Sequence, residues 1–233
     1  MIPKTIHYCW FGGREKPKLA QKCIASWRKY CSDYEIIEWN EHNFNTYINE
    51  YTSFTFEKKL YAYLSDYVRL WAVYTCGGLY FDTDVELIKS PDPLLSNAAY
   101  FGFEDDRYVN TGLGFGAEKE NDAVRNLMLQ YEKNSIIDLS NTFDSNHCLT
   151  GSPKMNTIGL IELGLVQNGK YQTLNGVEIY PKEYFCPFDD VTGILKTTSN
   201  TYSIHWFSKS AQGKFSYYKS KITRVIHRII DKK

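Results

Sequence analysis

Residues 77–84 read GGLYFDTD, and the predicted fold follows from this stretch. The residues before it, 57–76, carry apolar side chains at helical spacing, which predicts an amphipathic helix that ends at the glycine pair. Residues 79–81 then predict a short apolar strand. That strand leads directly to Asp82 and Asp84, so two carboxylates are expected where a strand ends.

Strands and helices are predicted to alternate along the rest of the chain. Residues 2–10 alternate between two faces, residues 19–27 repeat apolar side chains every four positions, and residues 34–39 are rich in isoleucine and aromatics. This strand, helix, strand order favours an α/β fold in which ligands bind beyond the carboxyl ends of the strands. Further strands are expected at residues 85–88, 99–103, 109–116, 177–180 and 202–206, and further helices at residues 121–132 and 156–165.

The composition indicates a globular protein. The chain has 233 residues, of which 43% are hydrophobic, with 27 Lys+Arg against 27 Asp+Glu. This length and apolar content allow one core and exclude a disordered chain. Because the charge is balanced, a dedicated nucleic-acid-binding protein is not expected.

Cysteine spacing and apolar run length bear on the cellular compartment. None of the 6 cysteines has C-x-x-C spacing, so we expect reduced and mostly buried thiols rather than a zinc ribbon or a disulfide scaffold. The longest apolar runs are too short to cross a bilayer, and residues 1–7 lack the apolar segment of a signal peptide. A cytoplasmic protein is therefore expected.

Residues 213–233 differ in composition from the predicted domain, residues 1–212. From Lys214 onward basic residues far outnumber the single acid, Asp231, and apolar residues recur at helical spacing. This predicts a basic amphipathic helix. Such a helix could lie on an anionic membrane surface, here the inner face of the plasma membrane. It could equally pack on the domain with its lysines in water.

The acidic pair suggests a metal site. If the segment stays extended, Asp82 and Asp84 point to the same side, because side chains two apart in a strand share a face. Carboxylate oxygens suit Mg²⁺ or Mn²⁺ better than zinc. On the preceding helix, Asp66 and Arg69 are three residues apart and also share a face, as they would in a simple surface ion pair.

Three segments resemble the sugar-binding DxD glycosyltransferases: residues 2–13 (IPKTIHYCWFGG), 65–69 (SDYVR) and 77–84. That group includes bacterial capsular polysaccharide transferases, yeast initiating mannosyltransferases and, more distantly, the clostridial glucosylating toxins. Residues 204–206 (IHW) are similar to its C-terminal histidine and aromatic segment. The resemblance implies a single GT-A domain, with a Rossmann-like nucleotide-binding mixed sheet flanked by helices.

The resemblance also implies the contacts of a nucleotide-diphosphate sugar, with a UDP-sugar favoured. Trp10 would stack on the nucleobase, and the backbone beside it would line the nucleotide site. Asp66 and Arg69 would act at the donor sugar and its phosphate side. The full set of implied donor contacts is Trp10, Phe11, Gly12, Ser65, Asp66, Arg69, Tyr80, Thr83, Ser208 and Ser210.

The implied cofactor is Mn²⁺ or Mg²⁺. Asp84 would be a direct ligand, Asp82 would contact both ribose and metal, and His205 would complete the set. Ser208 or Ser210 would add to the metal or diphosphate contacts. The catalytic set carried over from the family is Asp66, Arg69, Asp82 and Asp84.

The function expected from this resemblance is a retaining transfer of a hexose or N-acetylhexosamine to a glycan or lipid-linked glycan acceptor. Bacterial capsule or surface polysaccharide synthesis is the expected setting. Two alternatives remain open: a toxin-like effector that glycosylates protein, and a non-catalytic nucleotide-sugar-binding module. His7, on the alternating strand, is expected to be structural. Loop residues Asp106, Asn110, Asp144 and Asn146 could reach an acceptor or simply be solvated.

Overall fold

The computed structural model describes residues 1–133 and 151–208 and shows a mixed sheet with helices packed against it. The strands are β1 (Thr5–Cys9), β2 (Glu35–Trp39), β3 (Gly78–Tyr80), β4 (Val85–Leu87), β5 (Ala99–Gly102), β6 (Phe115–Ala117), β7 (Gln172–Leu174), β8 (Val177–Tyr180) and β9 (Ser203–His205). The helices are α1 (Lys18–Tyr30), α2 (Glu50–Glu57), α3 (Tyr61–Cys76), α4 (Asp122–Lys133) and α5 (Ser152–Ile161). Short 3₁₀ turns lie at Asp92–Leu94, Thr111–Leu113 and Lys182–Tyr184.

The main sheet has seven strands in the spatial order β2, β1, β3, β6, β5, β8 and β7. Strand β1 is parallel to both β2 and β3, whereas β6 is antiparallel to both β3 and β5. A second sheet pairs β4 with β9 in antiparallel orientation. Because β1, β2 and β3 are parallel, their carboxyl ends meet at one edge of the sheet.

The sheet is buried on both faces, and successive residues of β3 show how. Leu79 packs into a cluster that contains Trp27 of α1, whereas Tyr80 packs into another cluster with Leu64 and Val68 of α3. Both β3 side chains are almost completely buried. A strand covered on both sides has to be apolar throughout, which explains the continuous apolar run before Asp82.

The α3 to β3 connection confirms the sequence prediction, and its glycines are required by geometry. The helix ends at Cys76, and Gly77 follows with a φ of 70°. Gly78 has a φ of 110°, and a Cβ there would lie 2.6 Å from the carbonyl oxygen of Thr5 on β1. Only glycine permits both this backbone conformation and this close approach.

Several predicted boundaries differ from the structure. The helix expected from residue 57 begins at Tyr61, because Lys59 adopts a φ of 57° and separates it from α2, which the periodicity did not predict. The strand expected over residues 109–116 is interrupted by the 3₁₀ turn Thr111–Leu113 and resumes as β6. The short strand β7 was also not predicted. The helix expected at residues 156–165 runs instead as α5.

The predicted C-terminal helix, residues 213–233, lies outside the described residues. Within residues 1–133 and 151–208, no helix combines the length and apolar character that a membrane crossing requires. Free thiols are found at Cys9, Cys23, Cys31 and Cys186, all buried as expected, and at Cys76, which is exposed.

His7 is completely buried in β1 and is structural, as expected. Its Nε2 lies 2.9 Å from the carbonyl oxygen of Gly77, and its Nδ1 accepts a hydrogen bond from Trp39 Nε1 at 3.1 Å. These two contacts fit a neutral ring with its proton on Nε2. Burial lowers the pKa of His7, although the hydrogen bond to Gly77 and the charge of Glu35 oppose that effect.

We therefore expect acid to weaken the fold through His7. The pKa is lower in the folded state than the ordinary 6.5, so the unfolded chain takes up this proton first and stability is lost as the pH falls below that value. In urea unfolding, the free energy of unfolding of wild type should exceed that of His7→Gln by less at about pH 5.5 than at about pH 7.5. His42→Gln, at an exposed histidine, is the control. A stability difference that does not change with pH would contradict the prediction.

Candidate metal and nucleotide-sugar site

Asp82 and Asp84 lie in the turn that connects β3 to β4. The Val85 amide donates to the carbonyl oxygen of Asp82 at 2.9 Å, which closes this turn. The two carboxylates are therefore brought together by a turn, and the expected extended strand is wrong. His205 lies near them because β4 pairs with β9, which places Val85 opposite His205.

The side chains of Asp82, Asp84 and His205 form an acidic cluster with metal-site dimensions. One ligand atom from each of these residues lies within 4.8 Å of the others. His205 Nε2 is 3.2 Å from Asp84 Oδ1, and the other oxygen of Asp84 accepts a hydrogen bond from the backbone amide of Ser208 at 2.7 Å. The two carboxylates suit Mn²⁺ or Mg²⁺, so they fit the expected cofactor, and the imidazole, a usual ligand of transition metals, favours Mn²⁺ of the two.

The imidazole and the carboxylate of this cluster change each other's proton affinity. Burial lowers the pKa of His205, but the charge and hydrogen bond of Asp84 raise it well above 6.5. Burial raises the pKa of Asp84, and the contacts with His205 and the Ser208 amide reverse that effect, so it ends below its ordinary value. Both shifts favour an imidazolium beside a carboxylate when no cation is bound.

Arg69 links the helix α3 to the acidic turn. Its Nη2 lies 2.8 Å from Asp66 Oδ1 and 3.1 Å from Asp82 Oδ1. Tyr80 donates its hydroxyl to the same Asp82 oxygen at 2.8 Å, and the guanidinium lies 5.1 Å from the Tyr80 ring centroid. Arg69 is only 4% exposed, so the pair expected on one helix face is buried rather than a surface ion pair.

The two carboxylates that share Arg69 are both harder to ionise than usual. Burial raises the pKa of Asp66, the neighbouring charge of Asp82 raises it further, and Arg69 opposes both effects. Burial likewise raises the pKa of Asp82, against the pull of Arg69, with Asp84 adding to the rise. A cation bound beside Asp82 would relieve this excess of negative charge.

Gly112 allows the acidic turn to pack closely against the Thr111–Leu113 turn. A Cβ at this position would lie 2.4 Å from Asp82 Oδ2 and 3.1 Å from Asn110 Oδ1. Asn110 caps the same turn by accepting the Gly112 amide at 2.7 Å. From the sequence, Asn110 was expected only as a loop residue that could reach an acceptor or be solvated, and Gly112 was not identified.

The expected nucleobase platform lies at the end of β1. Trp10 is half-buried, donates Nε1 to the carbonyl oxygen of Arg14 at 2.6 Å and has Lys16 Nζ 5.5 Å from its ring centroid. The side chain of Phe11 is buried against Phe44. Because β1 and β3 are parallel neighbours, Trp10 follows β1 at the sheet edge where the acidic turn follows β3.

Gly12 lies next to this platform in a turn that only glycine fits. Its φ is 86°, and a Cβ would lie 2.4 Å from the Tyr61 ring. Its amide donates to both carboxylate oxygens of Glu41, at 3.1 and 3.3 Å. Glu41 follows β2 at the same sheet edge and was not identified from the sequence.

The remaining residues that were expected to contact the donor or acceptor have the following positions. The Ser65 hydroxyl donates to the carbonyl oxygen of Tyr61 at 2.8 Å, within its own helix. Thr83 is half-buried in the acidic turn, and Ser208 reaches Asp84 through its backbone. Asp106 is exposed. Ser210, Asp144 and Asn146 lie outside the described residues.

Comparison with known proteins bears on the first half of the chain. Residues 17–101 match the family model described as a glycosyltransferase sugar-binding region containing a DXD motif. Inositol phosphoceramide mannosyltransferase 3 of Schizosaccharomyces pombe is 31% identical over 107 residues. That match covers 42% of this chain and 29% of the relative, so this chain spans less than a third of that protein.

Two solved structures share the architecture. The PaToxG glycosyltransferase superposes with a TM-score of 0.52 at 15% identity, over 69% of each chain. A glycosyltransferase involved in the glycosylation of the major capsid of PBCV-1 superposes with a TM-score of 0.51 at 14% identity, over 93% of this chain and 98% of that one. The expected GT-A-type fold is confirmed by these similarities.

The geometry predicts a divalent-cation site that depends on Asp84. In isothermal titration calorimetry with Mn²⁺, Asp84→Asn should weaken binding by roughly 100-fold, because it removes a charged ligand from a buried donor set. Asp33→Asn is the matched control, since Asp33 is exposed and pairs with Lys4 at the far end of β1. Equal Mn²⁺ affinity in wild type and Asp84→Asn would exclude the site.

Proposed function

We propose that this chain, which carries the DXD-containing sugar-binding region of glycosyltransferases, is itself a metal-dependent retaining glycosyltransferase. It transfers a hexose or N-acetylhexosamine from a nucleotide-diphosphate sugar to a glycan hydroxyl. The observation that carries the proposal is the acidic cluster of Asp82, Asp84 and His205 placed directly beside the Arg69–Asp66 pair. Support for the enzyme class comes from the matched family region and from the shared fold.

The reaction sets the chemical demands on this site. The bond between the anomeric carbon and a diphosphate oxygen breaks, and the electron pair leaves with the nucleoside diphosphate. The acceptor oxygen forms the new bond on the same face, and its proton passes to a phosphate oxygen of the leaving group. Negative charge therefore grows at the diphosphate while the sugar ring becomes positive, so the site needs fixed groups of both signs.

The residues of the site meet these demands in separate places. Asp84 and His205, with Asp82, would hold Mn²⁺ or Mg²⁺, which when bound acts as a Lewis acid on the diphosphate. Arg69 supplies a second, permanent positive charge at the sugar and phosphate side. Asp66 would accept hydrogen bonds from sugar hydroxyls and stabilise the ring as it becomes positive.

The nucleotide end of the donor is assigned to the edge formed by β1 and β2. Trp10 has a half-exposed aromatic face on which a base could stack, an interaction worth about 1 to 3 kcal/mol per base in nucleic-acid complexes. The glycine turn at Gly12 lets the backbone approach the nucleotide closely. Thr83 and Asp82 would face the ribose, with Asp82 contacting a hydroxyl, and the buried Tyr80 would act there by holding the Asp82 carboxylate.

The resemblance favours a UDP-sugar as donor and a glycan or lipid-linked glycan as acceptor, in the synthesis of capsular or other surface polysaccharide. Because one relative is named a mannosyltransferase, mannose is included among the donor sugars to be tested. A cytoplasmic site of action is part of the same proposal.

Nucleotide release from a panel of UDP- and GDP-sugars, with and without Mn²⁺, tests the proposal. We expect at least one donor to be hydrolysed only with the metal, and Asp84→Ala to lower that rate by at least about 100-fold. Asp33→Asn should behave as wild type. Donor binding without any nucleotide release in the presence of candidate acceptors would instead indicate a binding module.

Peripheral membrane contact is a separate proposal that rests on residues 213–233, outside the described part of the chain. Its test is sedimentation with vesicles that contain anionic phospholipid. Truncation after Gln212 should reduce vesicle binding, because the basic segment supplies the attraction. The binding that remains should be less sensitive to salt than the binding of the full chain. Equal binding before and after truncation would favour a helix packed on the domain.

A further inference from the structure

The guanidinium of Arg69 is held from two sides. Its Nη2 faces the carboxylates of Asp66 and Asp82. Its Nη1 instead donates to two hydroxyls, Thr111 Oγ1 at 3.3 Å and Ser152 Oγ at 3.3 Å. The two hydroxyls therefore help to restrain the guanidinium plane, together with the two carboxylates.

Asn156 connects the two hydroxyls to each other. Its Nδ2 donates to Thr111 Oγ1 at 2.9 Å and to Ser152 Oγ at 2.9 Å. Thr111 belongs to the 3₁₀ turn beside the acidic turn, whereas Ser152 begins α5. One carboxamide thus fixes the spacing of two hydroxyls that come from different segments of the chain.

The burial of this network shows that it is not an ordinary surface contact. The side chains of Thr111, Ser152 and Asn156 are all buried around Arg69. Oδ1 of Asn156 has no hydrogen-bond partner within residues 1–133 and 151–208. A buried unpaired acceptor is unfavourable, and an apolar residue would avoid it. The amide is therefore better explained by what its amino group holds than by packing.

We propose that Asn156, acting through Thr111 and Ser152, is a positioning residue that sets the orientation of Arg69 in the donor site. The inference rests on the proposed function, in which Arg69 is the permanent cation beside the donor sugar and phosphate. Within the described chain, the hydrogen bonds of Asn156 go to the two hydroxyls and not to Asp82, Asp84 or His205. In this proposal Asn156 therefore acts on turnover through Arg69.

The kinetic test compares Asn156, which lies in α5, with Asn126, which contacts α5. Asn156→Ala should lower kcat for donor turnover about tenfold, because a hydrogen-bond network to a charged group is lost, with little change in the donor KM or in Mn²⁺ affinity. Asn126→Ala is the matched control: Asn126 donates to the carbonyl oxygen of Gly159 in α5 at 2.7 Å, away from Arg69. It should keep the wild-type kcat.

A double-mutant cycle separates positioning from general loosening of the fold. In an Arg69→Lys background, Asn156→Ala should change kcat by less than about twofold, because the group it positions is already altered. Ser152→Ala serves as a second variant if Asn156→Ala does not fold, and it should reproduce the loss of kcat. Independent, multiplicative effects in the cycle, or an unchanged kcat in both single variants, would overturn the proposal.

A measurement without substrate keeps the two proposals distinguishable. In wild type and Asn126→Ala, the Arg69 guanidinium should rotate slowly enough to give separate Nη signals in nitrogen-resolved NMR, with Arg69→Lys providing the assignment. Asn156→Ala should average them. If no donor is ever turned over but the signals behave in this way, the proposed function fails and the positioning holds. If the signals are unaffected, the positioning fails whatever the activity.

Discussion

Three carboxylates lie close together at one edge of the sheet, Asp66 and Asp84 buried and Asp82 half-buried, and the rest of the site compensates for their charge. Burying charge is costly unless it is paired and hydrogen-bonded. Arg69 and protonated His205 supply two positive charges, which leaves one negative charge in excess when all three acids are ionised. Burial raises the pKa of both Asp66 and Asp82, and in each case a neighbouring carboxylate raises it further. The excess of negative charge therefore opposes the ionisation of these two acids. A divalent cation bound by His205 would replace the imidazole proton and, together with Arg69, balance the three carboxylates.

The fold brings these charges together through backbone features rather than through the side chains alone. Gly78 lets β3 lie against β1, and Gly112 lets the neighbouring turn approach the Asp82 carboxylate. Trp27 of α1 donates its indole N–H to the carbonyl oxygen of Val85 at 2.8 Å, which fixes the start of β4 against the helix layer. With β4 fixed, its antiparallel partner β9 carries His205 to Asp84.

The sequence was informative where the signal is local. The helix that ends at Cys76, the apolar strand after it, and the shared face of Asp66 and Arg69 all depend on residues close in the chain, and the structure has each of them. The common direction of Asp82 and Asp84 was expected for the wrong reason, since a turn rather than a strand aligns them. Thr111, Ser152 and Asn156 carry no spacing signal, because they meet Arg69 only after the chain has folded. Glu41 at Gly12 was missed for the same reason.

The pairing of β4 with β9 also has a consequence for the order in which the molecule matures. Ser208 and Asp84, which bond directly, are 124 residues apart, so the loop between them must close before the histidine side of the cluster exists. Helix α3 and β3 depend on near neighbours and can form much earlier during synthesis. A nascent chain that has not yet released β9 presents the acidic turn without its imidazole partner. In the proposed enzyme, cation capture would therefore follow the pairing of β9, and a bound ion would stabilise the paired form over every form that lacks β9.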